Sequence, residues 1–182
     1  MLTAYAALLR AVNVGGTGKL PMADLRALCE GCGFTEVSTY IQSGNVLFST
    51  TKAAKGLEDE IEAAIEHTFG FPVVVVVRSE RQLRAVVDKA PKGFGADPDT
   101  YYSDAVFVKA PLTGPTARKV VELRDGVDEA WAGTGVLYFQ RLGAERTKSR
   151  MSRIASTPEY QLMTIRSWAT TTKLIALLDD DS

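Results

Sequence analysis

The stretch Ala6-Ala7-Leu8-Leu9-Arg10-Ala11-Val12-Asn13-Val14-Gly15-Gly16-Thr17-Gly18-Lys19-Leu20-Pro21 runs from an apolar segment into a glycine-rich loop and ends on a proline that opens a helical pattern. An apolar run without polar alternation is the pattern of a strand buried on both faces, and Thr3 to Val12 has it. Open α/β sheets take their ligands beyond the carboxyl ends of strands, where glycines let a ligand approach the backbone. The loop carrying Asn13, Thr17 and Lys19 is therefore the first place to look for a site.

Downstream the apolar spacing becomes helical at Met22, Leu25, Leu28, Cys29 and Cys32, between Pro21 and a capping Gly33. Two β-type runs, Glu36 to Ile41 and Val46 to Thr50, flank Gln42-Ser43-Gly44-Asn45, a hairpin turn or bulge. A helix from Ala54 to Phe69 follows, with Leu57, Ile61, Ala64 and Ile65 on one face. The run Pro72 to Val77 has no polar face and reads as a central strand. Ser79 and Gln82 form a capping-box pattern opening a short helix over Glu80 to Lys89.

That β-α-β-β-α-β order is the split arrangement of the ferredoxin-like superfold. After a Gly/Pro/Asp-rich linker the order restarts: strand Ala105 to Lys109, helix Pro115 to Arg124, strands Asp128 to Ala132 and Val136 to Arg141, helix near Ser149 to Ser156. The expected fold is α+β: two ferredoxin-like βαββα subdomains, residues 1–90 and 104–182, joined by a linker at 91–103 and closed by a helix from Ser167 or Trp168 to Leu178. One continuous α+β sheet is the alternative.

Composition sets the class. A chain of 182 residues, 46% hydrophobic and 24% charged, can bury a core without metal or disulfide help. Twenty-one basic and twenty-two acidic residues exclude a surface that is basic all over. No apolar run approaches the roughly 20 residues that span a bilayer, and no signal-peptide pattern opens the sequence, so the expected location is cytoplasmic. Two cysteines fit a reducing compartment.

Three blocks carry a family resemblance: Ala7-Leu8-Leu9-Arg10-Ala11-Val12-Asn13-Val14-Gly15-Gly16 with Pro21-Met22-Ala23-Asp24-Leu25-Arg26, then Thr39-Tyr40-Ile41-Gln42-Ser43-Gly44-Asn45-Val46, then Thr164-Ile165-Arg166-Ser167-Trp168 with Thr170 and Lys173. Together they resemble the bacterial family catalogued as domain of unknown function sixteen ninety-seven. The family pattern usually has Gly where this chain has Ala11, Arg-Asn-Trp-Asn-Thr where it has Ser167 and Ala169, and Ser-Lys-Leu where it has Ser149-Arg150-Met151. The resemblance implies a fold, a bacterial cytosol and shared motifs, and it brings no activity.

Several residues are candidates for chemistry. Asn13 to Leu20 approximates a phosphate-binding loop, with Gly18-Lys19 in place, but Asn13 stands at the first glycine position and Leu20 at the hydroxyl position. An anion-binding nest of backbone N–H groups with Lys19 and a plain glycine turn both remain open. Arg10 in a buried strand needs either a carboxylate partner or a ligand. Alternation from Leu8 puts Arg10 and Val12 on one face, Leu9 and Ala11 on the other. Gln42 has an amide longer than any common turn demands.

The pair Cys29 and Cys32 has redox spacing but lies at a helix C-terminus, where the dipole opposes a thiolate, and His67 is the only histidine. Both cysteines read as packing residues, and no metal or cofactor set emerges. From Arg141 to Lys173 seven basic residues (Arg141, Arg146, Lys148, Arg150, Arg153, Arg166, Lys173) face Glu145 and Glu159, a local balance of +5. That run is either a solvated face or a surface for anions.

The leading expectation is a small anionic or phosphorylated ligand near the first glycine loop. Arg10 and Lys19 supply charge, Asn13, Gln42 and Asn45 polar contacts, Gly15 and Gly16 close backbone approach, and Arg166 completes the clamp. One alternative is nucleic-acid binding through Arg146, Lys148, Arg150, Arg153 and Trp168. Another is an uncharacterised enzyme whose carboxylate is Asp24 or Asp104. No membrane partner is expected, and the sequence sets no oligomeric state.

Overall fold

The computed structural model describes residues 1–14 and 18–180. The chain divides into two units, one of residues 1–84 joined by the segment from Lys173 onward, the other Ala85–Thr172. Strand β1 (Thr3–Leu9), helix α1 (Met22–Gly31), strands β2 (Thr35–Tyr40) and β3 (Asn45–Thr50), helix α2 (Leu57–Phe69) and strand β4 (Val75–Ser79) build the first unit. Its four strands lie in the order β2-β3-β1-β4, with every neighbour antiparallel. Helices α3 (Glu80–Asp88) and α5 (Trp168–Asp180) each cross the boundary between the units.

The second unit holds β5 (Tyr101–Val108), α4 (Gly114–Val120), β6 (Asp128–Gly133), β7 (Val136–Leu142), three short 3-10 helices and β8 (Met163–Ser167). Its sheet runs β6-β7-β5-β8, again antiparallel throughout. The two sheets therefore lay out their strands in the same relative order, and the α+β class with two similar subdomains and a C-terminal helix holds.

Local chemistry explains most elements. Tyr5, Ala7 and Leu9 of β1 share a core with Leu25 and Cys29 of α1, with Leu57, Ile61 and Ile65 of α2, and with Phe48 of β3. Phe34 stacks on Phe48 at 4.3 Å between centroids, adding aromatic contact to the area buried. The capping box forms as expected: the Gln82 N–H donates to Ser79 Oγ at 3.2 Å, and the Ser79 N–H donates to Gln82 Oε1 at 2.9 Å.

Four local readings differ. The segment Ser149 to Ser156 is not an α-helix: 3-10 turns run over Gly143–Lys148, Met151–Ser156 and Pro158–Leu162. Hydroxyls compete with the helix there, since Ser149 Oγ accepts from the Met151 N–H and Thr157 Oγ1 donates to the Ile154 carbonyl, and Pro158 then stops the turn. Met163–Ser167 forms a fourth strand, outside the element order expected from the sequence. Strand β5 starts at Tyr101, inside the stretch read as linker, because Tyr101 and Tyr102 pair with Leu142 and Arg141.

The valine run gives the sharpest correction. Strand β4 pairs only with β1 and is an edge of its sheet, not a central strand. Its outward N–H groups are not left open: Val75 donates to Glu62 Oε1 at 2.8 Å and Val77 to Glu58 Oε1 at 2.9 Å. Two glutamates one helical turn apart on α2 thus replace the missing neighbour strand, which also closes the edge against other chains. A hydrogen bond to a charged group contributes about 1.5–3 kcal/mol, so Glu62→Ala should destabilise by that amount in chemical denaturation, and Glu62→Gln, which still offers an acceptor, by less. An unchanged midpoint for Glu62→Ala would contradict this role.

Candidate functional site

Strand β1 ends at Leu9, so Arg10 stands just past the sheet rather than inside it. Its N–H still donates to the Val74 carbonyl at 2.9 Å, and the residue is half-buried. Beyond it the backbone turns left-handed at Ala11 (φ 54°) and again at Asn13 (φ 56°). Strand alternation stops there, which is why Val12, expected opposite Leu9, lies in the same core as Leu9. Ala11 holds this conformation at a cost, because a left-handed backbone costs a residue with a Cβ about 1–2 kcal/mol.

Asn13 closes the loop. Its Oδ1 accepts from the Leu20 N–H at 2.8 Å while its Nδ2 donates to the Leu20 carbonyl at 2.8 Å and the Gln42 carbonyl at 3.0 Å. One amide therefore pairs both backbone groups of Leu20, much as a neighbouring strand would, and ties the loop to the β2–β3 turn. The same bonds remove the Leu20 N–H from any phosphate cradle, a further departure from a nucleotide-binding loop.

The turn itself is built by a second asparagine. Asn45 is fully buried, and its Nδ2 donates to the Tyr40 carbonyl at 2.9 Å and Ser43 Oγ at 3.2 Å. Ile41 is left-handed at φ 51°, and Gly44, at φ 83°, lies so close to β1 that a Cβ there would sit 2.5 Å from Val12 Cγ2. Leu9 donates its N–H to the Gly44 carbonyl at 2.8 Å. Three of the four described non-glycine residues with positive φ, Ala11, Asn13 and Ile41, are thus gathered at one end of one sheet.

The structure brings Arg10, Asn13, Gln42 and Asn45 to this end, in distinct roles. The amides of Asn13 and Asn45 hold backbone groups, whereas the Gln42 and Lys19 side chains are exposed. Gly15 and Gly16 lie outside the described residues. Arg166 belongs to the second unit, on β8: it is 7% exposed, its Nη1 donates to the Ile165 carbonyl at 3.0 Å, and burial pushes its guanidinium down to about 10.

The basic run carries much of its own compensation. Arg153 and Arg150 approach Glu122 at 2.6 and 3.5 Å, and Lys148 approaches Glu145 at 2.6 Å. Arg146 is exposed. Trp168 packs edge-on against Phe94 at 5.0 Å and Tyr138 at 6.2 Å, inside an aromatic group that also includes Trp131.

Of the carboxylates named from sequence, Asp24 is exposed in the first turn of α1. Asp104 is mostly buried on β5; burial raises its carboxyl above the usual range, and Arg141 at 4.0 Å opposes the rise. Missed by sequence reasoning was Asp128, whose carboxylate accepts from the N–H groups of Arg124 and Arg150 and from Ser149 Oγ, at 2.6–2.9 Å. Its signal, an acid at the start of a β-type run, is too common to single out.

Cys29 is buried, and burial together with Cys32 and Glu30 pushes its thiol up to about 12, the direction opposite to a reactive thiolate. Among the described residues no group of three or more His, Cys, Asp or Glu is placed to hold a metal, and no helix is long and apolar enough to cross a membrane.

Two substitutions test the backbone of this site by denaturant unfolding. Gly44→Ala should destabilise by about 2–4 kcal/mol, combining left-handed strain with overpacking against Val12 and Leu9. Ala11→Gly should be neutral or stabilise by up to about 1 kcal/mol, since relieved strain outweighs the added freedom of the unfolded chain. A clear loss of stability on Ala11→Gly would refute the left-handed turn.

Comparison with known proteins places the chain. Among solved structures it is similar to "conserved bacterial protein SP0830 from Streptococcus pneumoniae", with TM-score 0.84 and 24% identity over 98% of this chain and 99% of that one. At that identity the likeness shows the fold alone. No curated protein matches. A family model described as "Protein of unknown function (DUF1697)" matches residues 2–138, which include β1, the glycine loop and the β2–β3 turn. The chain therefore belongs to the DUF1697 family of proteins of unknown function.

Proposed function

We propose that the end of β1 binds a small anionic or phosphorylated ligand. The observation that carries the reading is the charge of the two segments that meet there. Residues 10–20 and 41–45 hold two cationic side chains, Arg10 and Lys19, and no carboxylate, and Asn13 holds them together. Strain supports it further: left-handed non-glycine residues cost free energy and persist where surrounding structure imposes them, often at binding sites. In this reading Asn13 and Asn45 are positioning residues, Arg10 and Lys19 attract the anion, and the exposed Gln42 amide adds a hydrogen bond.

Nucleic-acid binding through the run 141–173 is the less supported reading, because Lys148, Arg150 and Arg153 already face carboxylates and Trp168 packs against other aromatic rings.

The test is thermal unfolding with phosphate, sugar phosphates, mono- and dinucleotides and short oligonucleotides, at low and moderate salt. A ligand at about 100 times its Kd stabilises by roughly 2.7 kcal/mol, a shift of several degrees for a chain of this size. Small anions should raise the midpoint, with a shallow salt dependence, and Arg10→Ala and Lys19→Ala should each weaken the effect. Because Lys19 is exposed, its variant tests the site even if Arg10→Ala disturbs folding. A shift produced by oligonucleotides alone and abolished by salt would transfer the site to the basic run. No shift from any small anion would overturn the proposal.

A further inference from the structure

Six large hydrophobic residues are exposed among the described residues: Met1, Leu2, Val14, Ile41, Tyr101 and Tyr102. Two of the pairs are neighbours in sequence, at the start of the chain and at the start of β5, and need no tertiary explanation. Val14 and Ile41 are different. They are separated by 26 residues in the chain, yet Val14 follows Asn13 and Ile41 precedes Gln42, the two residues joined by the Nδ2-to-carbonyl hydrogen bond of 3.0 Å. Folding therefore brings together the two segments that carry these exposed aliphatic residues, at 57% and 48% exposure.

Ile41 is the stronger sign. A β-branched residue rarely adopts a left-handed backbone, and a turn that needs φ 51° is served at lower cost by Gly or Asn. The strain is not offset by burial in this structure, because the side chain remains half in water. The segments that Asn13 ties together thus carry both cationic residues, Arg10 and Lys19, and exposed aliphatic ones, Val14 and Ile41.

We infer that the ligand is an amphipathic anion, an anionic group joined to an apolar body, of which a phosphomonoester of an aliphatic alcohol is the simplest form. The inference rests on the anion-binding reading above and adds the second half of the ligand. Arg10 and Lys19 face the anionic group, and Val14 and Ile41 cover the apolar body. An apolar contact of this kind strengthens with each methylene it shields, about fourfold in affinity per group fully removed from water.

The experiment is titration of the full chain, followed calorimetrically, with inorganic phosphate and then methyl, butyl and hexyl phosphate. Affinity should climb with chain length up to about fourfold per methylene and then level off. Ile41→Asn, which keeps a residue tolerant of the left-handed backbone, and Val14→Ser should flatten that climb while leaving phosphate affinity unchanged. Phosphate binding with no dependence on chain length overturns the amphipathic inference and leaves the anion site standing. A climb that survives in both variants also overturns it, since the apolar contact would then lie elsewhere. Failure of every phosphate-bearing probe overturns both readings. Vesicles of phosphatidylcholine containing phosphatidylserine form the last arm: capture by vesicles without response to soluble alkyl phosphates would replace a small ligand with a membrane surface and overturn the inference.

Discussion

A strand hydrogen-bonded along both edges has no free backbone until it ends, and β1 is such a strand. It pairs with β3 from Thr3 to Leu8 and with β4 from Tyr5 to Leu9, and its residues Tyr5 to Leu9 are all buried. Polar chemistry in the first unit is thereby forced to the strand's exit. The exit is also where β3 begins and where β4 is entered, so three chain segments meet there with backbone groups to satisfy. Asn13 and Asn45 answer that demand, each with one side-chain amide in place of a further strand or turn.

The same constraint explains the treatment of the sheet's edge. A chain that puts its most apolar strand in the middle leaves another apolar strand outside, and β4 is that strand. Its valines are buried while its outward N–H groups need acceptors, and Glu58 and Glu62 supply them from α2. An acidic helix face is thus a structural device. Read as sequence alone, Glu58 and Glu62 look like ordinary solvent-facing charges on an amphipathic helix.

Left-handed backbone at Ala11, Asn13 and Ile41 ties the fold to the candidate site. Reversing direction within two residues of a buried strand requires torsions that side chains disfavour, and core packing of Val12 holds the chain to them. The result is a rim carrying cationic and aliphatic side chains, with the Asn13 and Asn45 amides already engaged. Preorganisation of that kind lowers the ordering cost of binding. In the second unit the equivalent helix after β7 gives way to 3-10 turns, and the sheet keeps its strand order nonetheless.

Periodicity alone determined much of this protein. Apolar runs, the stripe on α1, the face of α2 and the Ser79–Gln82 box place most elements of both units, because burial and capping are local properties of spacing. The blocks around Asn13 and Gln42, with Thr164 to Trp168, indicate the family by resemblance. Tertiary structure decided what no spacing encodes: that the valine strand is an edge, that Arg10 lies beyond the sheet, that Met163–Ser167 joins β5 as a strand, and that Asn13 bonds to a turn 29 residues away. The physical reason is common to all four. A hydrogen-bond partner across a sheet or loop leaves no periodic trace in the chain, and whether an amide is held by the backbone or offered to a ligand depends on which distant groups folding brings within 3 Å.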